Sequence, residues 1–284
     1  MNEHIDPHQS DNVEVWSGKD RGDENFPVGS IVIRKALRPH IHAYYAFARN
    51  ADDIADSTTL SPQDKVARLD VMEDVLLGRR TSGSPSASAL RESLRTTKVS
   101  TVHATDLLIA FRRDATKKRY ATIDELYNYC RYSAVPVGRY VIDLHGESHE
   151  CYSPSDALCI SLQVLNHLQD CKKDLETLDR CYIPQSLLEH FGASVADVRR
   201  ERETPQLRRV FVTLLDRVDR LNQAAMELPE IAKDRRLRVE TALICGLSRR
   251  LARRLAENDP LENRVKLTRS DAILSTLRAL MFLT

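Results

Sequence analysis

The segment at residues 44–56, YYAFARNADDIAD, places three aspartates at the end of an apolar and aromatic run. Aspartate is a weak helix former in a helix interior, and like charges three or four residues apart repel. Helical spacing puts Tyr45, Arg49, Asp52 or Asp53, and Asp56 on one stripe. The stripe is therefore either a solvated acidic patch at a helix end or one side of a polar site.

A second stretch, QVLNHLQDCKKD, repeats this pattern about 110 residues later. Spacings of three, four and four place four polar residues on one helix face: Gln163, Asn166, Asp170 and Asp174. Three of the residues between them, Val164, Leu165 and Leu168, are apolar, which predicts a helix buried near its middle. Buried amide and carboxylate groups need partners, because their desolvation is otherwise unfavourable.

Two aspartate-rich helices that face one another suggest a cation site. Carboxylate and amide oxygens are the ligands that Mg²⁺ prefers, and Mg²⁺ keeps coordination positions for phosphate oxygens. The sequence thus predicts a metal–diphosphate site between the stripes. The alternative for the second stripe is a core network of Asn and Asp with buried water. His167 points away from the polar face and is interpreted as a structural histidine rather than a metal ligand.

Composition favours an all-α fold. The 284 residues include only 9 Gly and 11 Pro, and aromatic residues make up 6%. So few turn-forming residues leave little room for many short strands. We predict a mobile N-terminal arm at residues 1–25 and a single helical-bundle domain with a central cleft at residues 26–284. The predicted helices cover residues 30–56, 61–78, 101–118, 123–147, 154–178, 205–228, 235–257 and 268–282, and residues 79–90 are predicted to be a loop.

Charge and cysteine content exclude several classes of protein. The 42 Lys and Arg residues nearly balance the 41 Asp and Glu residues, so no overall field favours nucleic acid. The six cysteines form no C-x-x-C pair and the N-terminus resembles no signal peptide, which predicts reduced thiols in a cytoplasmic protein.

The C-terminal DAILSTLRALMFLT is interpreted as a core-docked helix rather than a membrane anchor. The basic SRRLARRLAEN is interpreted as a solvated face, with an acidic membrane surface as the alternative.

Five stretches together resemble the squalene/phytoene synthase family, whose members join prenyl chains head to head. These are ENFPVGS, YAFARNADDIAD, YCRYSAVPVGRYV, NHLQDCKKD with the following LDRCYIPQSLLEHFG, and NRVKL. The resemblance covers roughly residues 26–267. It implies an isoprenoid-synthase-type bundle, an isoprenoid diphosphate substrate and Mg²⁺ as cofactor.

The resemblance also implies roles for individual residues. Tyr129 would be the catalytic tyrosine, with a core tyrosine as the alternative, and Phe26 would lie near the diphosphate. Tyr45, Arg49, Gln163, Lys173 and Arg264 would bind the substrate, and Tyr45 and Arg49 would also take part in catalysis. The implied metal ligands are Asp52, Asp53, Asp56, Asn166, Asp170 and Asp174, with Asp53 either a ligand in place of Asp52 or a supporting residue.

The finer pattern is most similar to a bacterial branch of the family that acts in hopanoid biosynthesis. SAVPVG has Val135 where the family usually has glycine, and Gln169 and Lys173 replace a usual arginine and acid. This branch implies conversion of presqualene diphosphate and water to hydroxysqualene. Because so apolar a product has to leave into a bilayer, a peripheral membrane contact for product release is a further expectation. The alternatives are condensation of two farnesyl diphosphates, or a non-enzymatic assembly protein. The retained aspartates argue against the last.

Overall fold

The computed structural model describes residues 12–14 and 33–283, apart from the side chain of Leu283. This part of the chain is all-α, as predicted, and its only extended pairing is an isolated bridge between Arg119 and Cys181. The α-helices are α1 (Arg38–Asp56), α2 (Pro62–Leu76), α3 (Pro85–Thr97), α4 (Val102–Thr116), α5 (Ile123–Ser133), α6 (Val135–His145), α7 (Tyr152–Thr177), α8 (Gln185–His190), α9 (Pro205–Ala225), α10 (Leu228–Ile231), α11 (Arg235–Glu257) and α12 (Arg269–Ala279). Short 3₁₀ turns lie at residues 149–151, 195–199 and 280–283.

Three of the helices begin with the same local signal, a hydroxyl residue followed by proline. The side chains of Ser61, Ser84 and Thr204 each accept a hydrogen bond from a backbone N–H in the first turn of α2, α3 and α9. The following proline has no N–H to leave unpaired and already has a helical φ. These starts are therefore set by local chemistry before any tertiary packing.

The structure corrects several predicted boundaries. The predicted loop at 79–90 is wrong in its second half, because α3 begins at Pro85. The predicted helix at 123–147 is two helices, α5 and α6, which are separated at Ala134 by a non-helical backbone conformation. The first helix begins at Arg38 rather than Ser30. Helices α8 and α10 were not predicted.

Two large groups of buried apolar side chains form the core. The first is built from α1, α2, α3, α4 and α6, and the second mainly from α4, α5, α7, α8, α9 and α11. Helix α1 therefore packs into one group and α7 into the other. This arrangement sets the two aspartate-bearing helices on opposite halves of the bundle.

Helices α6 and α7 approach one another closely at Gly138. A Cβ atom at this position would lie 2.5 Å from Oγ of Ser155 and 2.6 Å from Sγ of Cys159. Both distances are well below van der Waals contact, so the absence of a side chain allows the helices to pack at this spacing. Gly138 is the last residue of the SAVPVG stretch.

Residues 12–14 lie against the start of α3. Glu14 accepts hydrogen bonds from the Ser84 hydroxyl and from the backbone N–H and hydroxyl of Ser86, and Val13 bonds to Gly83 and Arg68. The predicted arm at residues 1–25 otherwise falls outside the described residues, and the domain boundary stays a prediction. The six cysteines, all within residues 33–283, form no disulfide. No helix in the described ranges is long and apolar enough to cross a membrane.

Candidate active site

A cleft of about 820 Å³ lies between α1 and α7. It contains most of the residues predicted from the sequence: Tyr45, Arg49, Asp52, Asp56, Tyr129, Gln163, Asn166, Asp170, Lys173, Asp174 and Arg264. These come from α1, α5, α7 and the segment before α12. The structure thus brings both polar stripes to one site. Phe26 lies outside the described residues, and its role stays a prediction.

On α1 the stripe faces the cleft through residues that are half-buried. Arg49 pairs with Asp52 at 3.2 Å and with Asp53 at 2.6 Å. Asp52 lines the cleft, but Asp53 does not and is buried beside Arg49. The structure therefore keeps Asp53 out of the cleft, in a position to orient the Arg49 guanidinium. This placement does not support Asp53 as a metal ligand.

On α7, Asp170 and Asp174 are one helical turn apart and differ in their ion pairing. Arg264, from the segment before α12, contacts Asp170 with Nε 2.7 Å from Oδ1. Among the described residues, no lysine or arginine forms an ion pair with Asp174. Burial, together with the nearby charges of Asp170 and Asp56, raises the pKa of Asp174 to about 7. Asp174 is thus the carboxyl group in the cleft that most lacks a positive partner.

Arginines partly compensate the carboxylates of the cleft. Asp52 pairs with Arg49, Asp56 with Arg180 at 2.9 Å, and Asp170 with Arg264. The sequence pattern had suggested a repulsion between aspartates that a metal cation would have to relieve. The structure shows that side-chain cations already relieve much of it: Arg49 from the same helix, and Arg180 and Arg264 from distant segments of the chain.

Tyr129 lies at the cleft wall with its hydroxyl turned to a buried carboxylate. It donates a hydrogen bond to Oδ2 of Asp114 at 2.7 Å, and Tyr182 donates to Oδ1 of the same carboxylate at 3.0 Å. Burial raises the pKa of Asp114 to about 6 although Arg180 and the two phenols act in the opposite direction. Burial and Asp114 also raise the pKa of Tyr129 well above its usual value, so Tyr129 stays a neutral phenol near pH 7.

Sequence reasoning missed Arg180, which joins the two halves of the site. Its guanidinium donates to Asp56, to the Tyr182 hydroxyl and to the Asp114 carbonyl. It is almost fully buried, and its pKa is raised because Asp114, Tyr182 and Asp56 outweigh the effect of burial. Asp114 and Arg180 are 66 residues apart, so no helical spacing pairs them. Arg180 lies in the stretch LDRCYIPQSLLEHFG, which carried part of the family resemblance, but that resemblance gave it no role.

His167 also lines the cleft, although its neighbours on α7 dominated the sequence pattern. Its ring stacks on Tyr182 with the centroids 3.6 Å apart, and one ring nitrogen lies 3.3 Å from the Gln163 amide. Burial and Arg180 lower the pKa of His167 to about 3, so the ring is neutral. It supports the Tyr182 side of the cleft wall.

The donor set of the cleft fits a hard divalent cation by its chemistry. Asp52 and Asp56 on α1 and Asn166, Asp170 and Asp174 on α7 offer carboxylate and amide oxygens. Within residues 12–14 and 33–283, there is no group of three or more His, Cys, Asp or Glu side chains placed so that it could hold a metal ion. Burial and the charges of Asp170 and Asp56 raise the pKa of Asp174, and Arg180 and Lys173 offset this rise only in part.

The sequence matches the squalene/phytoene synthase family over residues 19–271. The chain belongs to this family of enzymes. It is 43% identical over 267 residues to a hydroxysqualene synthase of Rhodopseudomonas palustris, an alignment that spans 94% of this chain and 91% of that protein. It is 42% identical over 259 residues to a hydroxysqualene synthase of Zymomonas mobilis, with 90% and 87% covered. The resemblance seen in the motifs is thereby confirmed.

Solved structures of the family have the same fold. A crystal structure of squalene synthase HpnC from Alicyclobacillus acidocaldarius superposes with a TM-score of 0.73 at 34% identity, covering 84% of this chain and 91% of that one. A dehydrosqualene synthase in complex with ligand gives a TM-score of 0.78 at 21% identity, with 92% of each chain covered. The second likeness extends the shared fold to a more distant sequence.

Proposed function

We propose that this enzyme converts presqualene diphosphate and water to hydroxysqualene and diphosphate. The observation that carries the proposal is 42–43% identity to hydroxysqualene synthases over at least 90% of the chain. The cleft between α1 and α7 supports it, because carboxylates, two amides, arginines and phenols converge there. The proposal places the reaction in hopanoid or squalene biosynthesis.

The reaction breaks one C–O bond and forms another. The bonding electrons leave with the diphosphate, which leaves a carbocation on the cyclopropylcarbinyl carbon. The cation rearranges, and a lone pair of water forms the new C–O bond and releases one proton. No carbon is reduced, so no nicotinamide is required. The protein therefore has to stabilise a leaving anion, admit one water and accept one proton.

The leaving diphosphate would be bound by the cationic side chains of the cleft. Arg49 and Arg264 have planar guanidinium groups that suit phosphate oxygens, and Lys173 adds a further charge. The Tyr45 hydroxyl lies on the same face of α1 as Arg49 and can donate to the same anion. Gln163, one turn before Asn166 and His167, would contact the substrate further along α7.

We propose Mg²⁺ as the cofactor, held by Asp52, Asp56, Asn166, Asp170 and Asp174. When bound, Mg²⁺ supplies Lewis-acid stabilisation to the developing charge of the diphosphate. The support is the hard oxygen donor set and the high pKa of Asp174, whose ionised form a nearby cation would favour.

We assign the released proton to the Tyr129–Asp114 pair. The Tyr129 oxygen would accept the proton of the attacking water while its own proton moves to Oδ2 of Asp114, 2.7 Å away. With a pKa of about 6, Asp114 is a stronger base than an ordinary carboxylate, which favours this transfer.

Product analysis by mass spectrometry tests the proposed reaction. Purified protein is given presqualene diphosphate with Mg²⁺, with and without NADPH. We expect hydroxysqualene and diphosphate in both reactions, and ¹⁸O from labelled water in the new hydroxyl. Product that forms only with NADPH and is squalene itself would contradict water capture. A parallel reaction with farnesyl diphosphate alone distinguishes the condensation reaction, which would yield presqualene diphosphate.

The apolar product also suggests a peripheral membrane contact, because a C30 alcohol partitions out of water. We propose that the protein acts at a membrane surface without spanning it.

A further inference from the structure

Helix α12 packs on the protein through its small and polar residues. Asp271, Ser275 and Ala279, each four residues apart, are buried. The large apolar residues of the same helix lie on the opposite side: Ile273 is 60% exposed, Leu274 46% and Leu277 59%. In the following 3₁₀ turn, Leu280 and Met281 are also exposed. The helix thus presents its apolar residues to solvent.

This arrangement is the reverse of an ordinary surface helix, which turns its apolar stripe to the core. Single exposed apolar residues are normal, but a contiguous group on one element marks an interaction surface. We call Ile273, Leu274, Leu277, Leu280 and Met281 the outer face. The sequence prediction of a core-docked helix is correct for its small residues and wrong for these large ones.

A basic cavity adjoins the outer face. It has a volume of about 310 Å³, lies between α11 and α12, and is lined by Arg249, Arg250, Arg253 and Arg278. Met281 is shared between this cavity and the outer face. No acidic residue is among the lining residues. Of the four arginines, only Arg250 pairs with an acid of the described chain, Asp271.

The charge of this cavity identifies the partner of the outer face. Guanidinium groups bind phosphate oxygens through paired, charge-assisted hydrogen bonds. Large apolar side chains beside basic ones are typical of helices that lie in the headgroup region of a bilayer. We infer that the outer face and the four arginines dock the enzyme on a membrane that contains anionic phospholipids. The apolar residues would enter the acyl boundary, and the arginines would bind lipid phosphates.

Vesicle flotation of the full chain tests the inference. We expect the protein to float with phosphatidylglycerol-containing vesicles and not with pure phosphatidylcholine vesicles, and to be released by high salt. The double variant Arg249→Gln/Arg253→Gln removes two unpaired arginines and is expected to weaken binding by about fivefold per arginine. The double variant Ile273→Ser/Leu277→Ser should abolish flotation even at low salt.

Matched controls place the same changes elsewhere. Arg95→Gln/Arg131→Gln removes two exposed arginines from α3 and α5, and Val102→Ser/Val212→Ser removes two exposed apolar residues from α4 and α9. Neither should reduce flotation. Urea unfolding of every variant checks that the fold is intact.

Three results would overturn the inference: equal binding to both vesicle types, flotation unchanged by the outer-face variant, or a dimer in light scattering that Ile273→Ser/Leu277→Ser dissociates. The last would identify the outer face as an interface between copies of the chain. Because the readout is binding and not turnover, failure here leaves the proposed reaction untouched.

Discussion

Asp52 and Asp53 are neighbours in the chain, but their carboxylates lie in different surroundings. Asp52 lines the cleft, and Asp53 is buried beside Arg49. This contrast provides a matched test with one conservative change. Asp52→Asn should lower turnover at least about hundredfold with little loss of stability, since it removes a proposed ligand of the cation. Turnover with presqualene diphosphate and the urea midpoint measure the two effects.

Asp53→Asn should behave in the opposite way. Its carboxylate is buried and ion-paired, so its loss should destabilise the fold by about 3 kcal/mol. Its effect on the Mg²⁺ concentration needed for half-maximal turnover should be small. If Asp53→Asn raises that concentration and Asp52→Asn does not, the ligand assignment on α1 has to be exchanged.

Arg180 is the residue on which the polar network of the site depends. It is buried and donates to Asp56, Asp114 and Tyr182 at once, a geometry that a lysine head group cannot reproduce. Arg180→Lys should therefore destabilise the protein by about 3 kcal/mol in urea unfolding. Arg119→Lys, on a more exposed arginine that pairs with Asp179, serves as the control and should cost less than about 1 kcal/mol. Equal losses in the two variants would contradict the role given to Arg180.

At the scale of single helices, local signals explain both the success and the failure of prediction. Ser61–Pro62 was interpreted as a helix start and is one. Ser84–Pro85 carries the same signal, but the surrounding Ser and Gly residues favoured a loop, and α3 was missed. The Ser and Gly content of the whole segment predicted a loop, whereas Ser84–Pro85 alone indicated a helix start. The helix start is the correct interpretation. The break at Ala134 has no side-chain cap, and its one local signal, Pro136 in the first turn of α6, was outweighed by the apolar pattern that continues from α5 into α6.

The close packing of α6 on α7 depends on Gly138. In Gly138→Ala the new Cβ would clash with Ser155 and Cys159 unless their side chains rotate or the helices separate. We expect a loss of about 1–3 kcal/mol in urea unfolding. The triple variant Gly138→Ala/Ser155→Gly/Cys159→Ala removes the clashing atoms. Its loss of unfolding free energy should be smaller than the sum of the losses of the three single variants. Strict additivity would show that the contact does not set the helix spacing.

The docking of α12 on α11 has a pH dependence that Asp271 determines. Burial alone would raise the pKa of Asp271, but the Thr268 backbone and Arg254 outweigh it, so the pKa lies below its usual 3.8. A lowered carboxyl pKa stabilises the fold above the unfolded-state value and loses this contribution as pH falls towards the folded-state value. The stability difference between wild type and Asp271→Asn should therefore be constant above pH 5 and shrink below about pH 4. A difference that stays constant down to pH 3 would contradict this assignment.

For the whole molecule, the sequence predicted which elements form the site but not how their charges balance. Helical periodicity and family motifs placed the aspartates of α1 and α7 together, because the residues of each stripe share one helix. Arg180, Arg264 and Asp114 complete the balance from distant positions, and only Arg264 was found, through a motif. Pairings across 66 to 124 residues follow from the packing of the bundle and leave no periodic trace.

The placement of α1 and α7 in separate core groups predicts a response of the whole protein to ligands. A ligand that binds the cleft of the folded state, and not the unfolded chain, stabilises both halves by about 2.7 kcal/mol at a hundred times its Kd. For a chain of 284 residues that is a rise in Tm of roughly 4–5 °C. We expect MgCl₂ together with inorganic diphosphate to produce this shift. Diphosphate in EDTA should produce much less, since the carboxylates of Asp56, Asp170 and Asp174 would repel an anion that no cation accompanies.

In the double variant Asp170→Asn/Asp174→Asn, the dependence of the Tm shift on Mg²⁺ should disappear. Calorimetry can measure this without any turnover. An undiminished shift with diphosphate in EDTA would mean that the arginines and Lys173 suffice to hold the anion, and that the aspartates of α7 do not act through a metal.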